Sequence, residues 1–211
     1  GAGGLCLFGH PGTASMIPHL LLRELDAPFE WVHVDRARDA HKSPDYLRLN
    51  PNGLIPVLVD ARGGEEIVLY ETAAICLHLA DTCPAAGLVP APGTAARAPA
   101  YKRPTLMAWF YPDRWVDAGN DAGAAQVRAH AASRSDGLLG QIDAHLAATG
   151  RPWMLGDGYS LVDPYAFTLC RWTRTFARPA RASPRLGPSL QRVLERPATR
   201  RVLADEGVVA P

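Results

Sequence analysis

The chain has 211 residues, 47% of them hydrophobic and 20% charged, with a formal net charge of +1; this is the profile of a globular protein long enough for one large or two small domains with a sizeable core. The charge balance argues against an electrostatic nucleic-acid binder, and the arginines gathered between Arg171 and Arg185 alternate with Pro, Ala and aromatics, as in a solvated helix end and loop rather than a phosphate site. Four cysteines (Cys6, Cys76, Cys83, Cys170) lack any metal-ligand or Cys-x-x-Cys spacing, and no apolar run approaches ~20 residues, so disulfide scaffold, zinc site, spanning helix and signal peptide are not expected, and a cytoplasmic location is the default expectation.

In chain order, Leu5 to Gly9 reads as a short apolar strand, and Ile17, Leu20, Leu21 and Leu25 recur at helical spacing. Phe29 to Val34 alternates like a second strand, and a short helix over Pro44 to Leu49 leads into Asn50-Pro51-Asn52-Gly53. That tetrapeptide is a turn: Pro fixes φ, Asn tolerates left-handed geometry and Gly takes positive φ at no steric cost. Strands Ile55 to Val59 and Ile67 to Tyr70 follow, then an apolar helix opening at Glu71-Thr72 and running to about Thr82. The order strand, helix, strand, helix, strand, strand, helix is thioredoxin-like, with the first helix supplying the crossover that parallel strands need.

Two features of this half carry chemistry. Pro56 falls inside a strand-like run, where a missing N–H is tolerated only at an edge, a strand start or a bend. The Ile55–Pro56 bond is a candidate cis peptide, which would turn the backbone of Ile55 outward to pair with a peptide-like ligand. At Glu71-Thr72 the unsatisfied N–H groups of a helix start attract a carboxylate, the Thr72 hydroxyl adds a donor, and Glu71 adds an anion for an ammonium. Together these groups complement the α-amino-acid end of γ-glutamyl-cysteinyl-glycine, glutathione.

Between Pro84 and Pro104 the composition shifts to Pro, Ala and Gly, which marks a boundary. The expected organisation is a first domain over 1–84, a linker over 85–99 and an all-helical domain over 100–211. Leu138, Leu139, Ile142 and Leu146 form one helical stripe, and Leu161, Val162, Tyr165, Ala166, Leu169 and Cys170 another. Ser160-x-x-Asp163 is a capping-box variant with Tyr159 placed to staple onto the first turn, so Asp163 reads as a folding residue rather than a catalytic acid.

Three segments in this order, Leu7 to His19, Asn50 to Asp60 with Glu71-Thr72, and Gly156 to Asp163, resemble the glutathione transferase family, in its bacterial, beta-like form, over nearly the whole chain. The resemblance implies an α/β thioredoxin-like domain followed by an all-α domain, glutathione as cosubstrate, no metal, a small hydrophobic electrophile as second substrate, a role in detoxification and a homodimer. It places glutathione on Asn52, Ile55, Pro56, Glu71 and Thr72. Such enzymes carry a Tyr at the end of the first strand, or a Ser or Cys just before the first helix; here these positions hold Gly9 and Ala14.

The chemistry demands a substitute. A free thiol with a pKa of about 8.5 is only about 3% ionised at pH 7, and bringing it to about 6.5 takes roughly 2.7 kcal/mol. A helix N-terminus supplies roughly 0.3–1 kcal/mol and one hydrogen bond to the anion about 1.5–3 more. Ser15 is the first candidate donor, followed by Thr13 and His10; Ser15 reads equally as an ordinary helix N-cap. For the electrophile the candidates are Gly9, Tyr111, Trp115 and Trp172, although an aromatic stripe also suits a core. Two other readings stand beside the transferase: a glutathione-dependent isomerase, lyase or peroxidase, and a binding protein that holds glutathione or apolar ligands without activating a thiol.

Overall fold

The computed structural model describes residues 3–98 and 121–211, with only the backbone at 124, 128 and 131–133. Tyr111 and Trp115 lie outside the described residues. The chain divides into two compact units: 1–91 together with 193–210, and 92–192 with Pro211.

In the first unit, β1 (Leu5–Gly9), β2 (Phe29–His33), β3 (Val57–Asp60) and β4 (Ile67–Tyr70) form one sheet in the order β2-β1-β3-β4. β1 and β2 run parallel with Leu5 opposite Phe29 and Gly9 opposite His33, joined by the crossover helix α1 (Met16–Glu24). The β1–β3 and β3–β4 pairs are antiparallel, with Leu7 opposite Leu58 and Leu58 opposite Leu69. β1 alternates buried and half-buried residues, so Leu5, Leu7 and Gly9 share one face. α3 (Thr72–Thr82) packs against α1, and Leu7, Ile17, Leu20, Leu21, Leu58, Ile75 and Leu79 are all fully buried. Burial of such side chains gives roughly 1.5–3 kcal/mol each, which makes this the main source of the unit's stability. A second cluster, Val34, Tyr46 and Val57, takes in Phe8, Leu49 and Ile55; Tyr46 comes from the short helix α2 (Pro44–Leu49).

The chain returns to this unit through α7 (Pro197–Glu206), which packs on α1. Arg196 makes two hydrogen bonds to Glu24, at 2.5 and 2.7 Å, and Arg23 pairs with Asp205 at 2.8 Å. At the end of β3, Asp60 accepts from Arg62 Nε (2.9 Å) and Nη2 (2.7 Å) and lies 2.8 Å from Nε2 of His78 on α3. The Arg62 guanidinium, with help from His78, holds the Asp60 carboxyl far below the usual carboxylate range. In the unfolded chain the same group protonates near about pH 4, so its contribution is complete above that pH and declines as pH falls toward the folded value. Asp60→Asn is expected to lower stability at pH 7 by roughly 2 kcal/mol and to make the acid unfolding limb shallower. Identical acid limbs for variant and parent would remove this role.

The described residues of the second unit are helical: α4 (Asp121–Thr149), α5 (Val162–Trp172) and α6 (Leu186–Glu195), within which the division between units falls. Leu139 and Leu146 of the first expected stripe are buried, and so are all of the second except the half-buried Leu169. Asp163 is buried; Oδ2 accepts from the Ser160 N–H (2.7 Å) and hydroxyl (2.9 Å), and Oδ1 from the Met154 N–H (2.9 Å). The capping reading thus gains a partner, Met154, that lies nine residues back. Tyr159, just before this cap, meets Trp153 edge-on at 5.3 Å. Asp143 of α4 starts α6 by accepting from the Arg185 and Leu186 N–H groups at 2.8 and 2.7 Å. In the arginine cluster Arg174, Arg178, Arg181 and Arg185 are exposed as expected, whereas Arg171 is buried at the end of α5. Burial pushes the Cys170 thiol up to about 12, as fits an inert apolar cysteine. Among the described residues no helix is long and apolar enough to cross a membrane, and no group of three or more His, Cys, Asp or Glu could hold a metal ion.

Candidate functional site

The turn after α2 is organised by a residue the sequence reading passed over. Asn50 is buried; its Oδ1 accepts from the Asn52 N–H (3.0 Å) and its Nδ2 donates to Leu54 O (2.9 Å), which also accepts from the Tyr46 hydroxyl at 2.8 Å. Asn at the head of a turn is a legible signal for this arrangement. Gly53 takes φ +61 and donates to Asn50 O at 2.9 Å. Asn52 is left exposed. The Ile55–Pro56 bond is cis, and β3 begins one residue after Pro56, so the missing N–H falls outside the ladder. The Ile55 side chain packs on the Val34–Tyr46–Val57 cluster.

At the start of α3, Glu71 sits at φ +74 and ψ 115, a region a side-chain-bearing residue adopts only under constraint. Its carboxylate is exposed and makes no capping hydrogen bond, while its carbonyl accepts from the Ile75 N–H at 3.0 Å. Thr72, half-buried, opens the helix, whose first N–H groups lack intrahelical partners by geometry. Exposed anion, hydroxyl and helix start therefore stand together, as the sequence anticipated.

The loop from His10 to Ser15 is tied from within. The Ser15 hydroxyl donates to His10 O (3.0 Å), accepts from the His10 N–H (3.1 Å) and lies 2.9 Å from the Thr13 hydroxyl, which donates to His10 O at 2.7 Å. Ser15 is fully buried and makes no side-chain bond to the helix N-terminus. The structure therefore changes both earlier readings of Ser15: it is neither a side-chain N-cap nor, in this conformation, a hydroxyl presented to a ligand. His10 and Thr13 are half-buried. The His10 ring places Nδ1 3.1 Å from Val34 O and 3.2 Å from Nε2 of His33. If Nδ1–H donates to the carbonyl, Nε2 of neutral His10 is left as an acceptor.

Gly9 needs correction as a pocket residue. It is buried, and a Cβ there would overlap the Ser15 side chain and the Trp31 ring. A side chain at the end of β1 would therefore require Ser15 and Trp31 to move. Ala14 is buried as well. Trp172 is half-buried at the end of α5, in the second unit.

Residues 14–82 match the family model for the glutathione S-transferase N-terminal domain. Glutathione S-transferase GST-4.5 of Xanthomonas campestris is 38% identical over 174 residues, spanning 79% of this chain and 81% of that protein. The chain belongs to the glutathione S-transferase family. A sphingomonad glutathione S-transferase solved in complex with glutathione shares 33% identity and a TM-score of 0.81, covering 97% of this chain and 100% of the other. A glutathione transferase homologue from Sulfitobacter with bound glutathione gives a TM-score of 0.85 at 27% identity, over 98% of this chain and 99% of that one. The thioredoxin-like sheet followed by a helical unit is the glutathione transferase fold.

Proposed function

We propose that this member of the family is a glutathione transferase that ionises the glutathione thiol at the loop 10–15 and delivers the thiolate to a small hydrophobic electrophile. The observation that carries the reading is Glu71: an exposed carboxylate held at φ +74 beside Thr72 and the first N–H groups of α3. That arrangement matches the charge pattern of the glutathione α-amino-acid end, ammonium on Glu71 and carboxylate on the helix start. The turn at Asn52, with the backbone of Ile55 before Pro56, faces the peptide part in an extended pairing.

The thiol then lies at the loop before α1. Thr13 and His10 are the groups we place against sulfur, with Ser15 beneath them; to donate to the thiolate, the Thr13 hydroxyl turns away from His10 O, to which it donates in this structure. Loss of the thiol proton to His10 Nε2 or to water leaves the thiolate; sulfur attacks the electrophilic carbon, a C–S bond forms, and a leaving group departs or the resulting anion takes a proton from solvent. We also propose that the protein works as a cytoplasmic homodimer in detoxification, which its family membership supports.

Calorimetric titration with reduced glutathione, in buffers of different ionisation enthalpy, tests the reading. Binding in the micromolar-to-millimolar range is expected, with release of a good fraction of a proton at pH 7. Ser15→Ala should raise the bound-thiol pKa by about one unit, since both neighbouring donors lose their tie. The second reading, a carrier that leaves the thiol protonated, is favoured by the absence of a donor side chain at both Gly9 and Ala14. Binding without proton release would establish it; an unchanged thiol pKa in Ser15→Ala would remove Ser15 from the mechanism.

A further inference from the structure

A carboxylate from the other end of the chain enters the loop that precedes α1. Glu206, the last residue of α7, has a fully buried side chain. Its Oε2 accepts from the Gly12 N–H at 2.8 Å, and its Oε1 lies 2.8 Å from Nδ1 of His19. A carboxylate only accepts, so Nδ1 carries the proton of that bond. His19 is itself fully buried, stacked on Trp31 at 4.7 Å and edge-on to Phe29 at 5.4 Å. Trp31 in turn closes the space beside Gly9 and Ser15.

Stability alone is a weak reason for such a group, because apolar residues of similar volume often serve a core as well as a buried ion pair does. An apolar side chain cannot, however, hold a backbone N–H, and Gly12 sits at φ +71 between His10 and Thr13. The loop is therefore held by Ser15 from within and, among its ties to other elements, by Glu206 from α7. The His19–Trp31 stack carries the second fixing across to the floor of the loop. The neighbouring Asp205 pairs with Arg23 at 2.8 Å and also lies 3.8 Å from Nε2 of His19, so both carboxylates at the end of α7 face that ring.

We propose that Glu206 is a positioning residue for thiol activation: acting through Gly12 and His19, it holds His10 and Thr13 where they meet the sulfur. The inference rests on the transferase reading above. It touches neither glutathione nor electrophile, and nothing in the sequence near the loop encodes it.

The test uses the full chain with Glu206→Gln, Glu206→Ala and, as a control that loosens α7 at its other end, Glu24→Gln, which weakens the pair with Arg196. Melting temperature, glutathione Kd, the pKa of the bound thiol from its ultraviolet thiolate band, and kcat with an activated aryl halide are measured for each. For Glu206→Ala the bound-thiol pKa is expected to rise by about one unit, from about 6.5 to about 7.5, and kcat at pH 7 to fall about threefold with the thiolate fraction, while Kd changes by no more than about threefold. Glu206→Gln, which keeps one acceptor oxygen, should fall between, and Glu24→Gln should match the parent in thiol pKa. A lowered melting temperature with parental thiol pKa and kcat overturns the proposal, since Glu206 then only fastens α7; if Glu206→Ala does not fold, Glu206→Gln decides by the same readout. A parent protein that binds no glutathione, or binds it without lowering the thiol pKa, overturns the transferase reading and this proposal together. A parent that ionises the thiol, with Glu206 variants that do so equally well, overturns this proposal alone.

Discussion

Glu71→Gly is expected to raise thermal stability and weaken glutathione binding in the same protein. At φ +74 and ψ 115 the wild-type backbone is in territory that costs a side-chain-bearing residue of order 1–3 kcal/mol, and glycine is free of most of it. Part of that gain is offset because glycine gains entropy in the unfolded chain, leaving roughly 1 kcal/mol, or about 2–4 °C in melting temperature for a chain of this size. Binding moves the other way. A charge-assisted hydrogen bond between carboxylate and ammonium is worth about 1.5–3 kcal/mol, so its removal should weaken glutathione by about tenfold to a hundredfold. Glu71→Gln separates the two effects, since it keeps the strained backbone and loses the charge: affinity should drop with the melting temperature nearly unchanged. Differential scanning calorimetry with glutathione titration reads both quantities. A Glu71→Gly protein that is less stable, or binds as well as the parent, would show that the conformation has no functional reason.

Asp163→Ala is expected to give the largest stability loss of any single change considered. The carboxylate is buried and accepts three hydrogen bonds, two of them from backbone N–H groups that would be left without a partner. Breaking a buried charged network of this kind costs roughly 3–5 kcal/mol, or about 6–20 °C at about 2–4 °C per kcal/mol. Asp163→Asn, which retains one acceptor oxygen, should lose less. Glutathione affinity measured below the lowered transition should equal that of the parent, because the Met154 and Ser160 groups that Asp163 accepts from belong to the second unit, apart from the residues proposed to hold glutathione. A large affinity loss at an unchanged melting temperature would reverse the assignment and make Asp163 a ligand residue.

Some local arrangements were legible in advance. Ser160-x-x-Asp163 and Asn50-Pro51-Asn52-Gly53 encode their bonds within a few residues, so spacing and residue type are enough to read them. The helix start at Glu71-Thr72 was legible for a similar reason, since an apolar helix opens directly after an apolar strand, and Glu71 stands at that start at φ +74. Hydrophobic periodicity likewise marked β1, α1, α2, β4 and the stripes of α4 and α5 close to where they stand.

The amino-acid sequence by itself determined the local elements, the turn, the cap and the family to which the chain belongs, because each depends on contacts between residues near in sequence or on a motif kept in order. Tertiary structure alone decided the state of the loop before α1. Ser15 read equally as a thiolate donor and as a helix N-cap, and Gly9 as part of a pocket; burial of Ser15, and the Trp31 ring from the neighbouring parallel strand, made one a tie and left the other no room for a side chain without movement of its neighbours. Glu206, which meets Gly12 across a separation of 194 residues, left no trace in any window of sequence. Such contacts depend on how the return helix α7 packs against α1, and packing is set by the shape of the whole unit rather than by the pattern of any one segment.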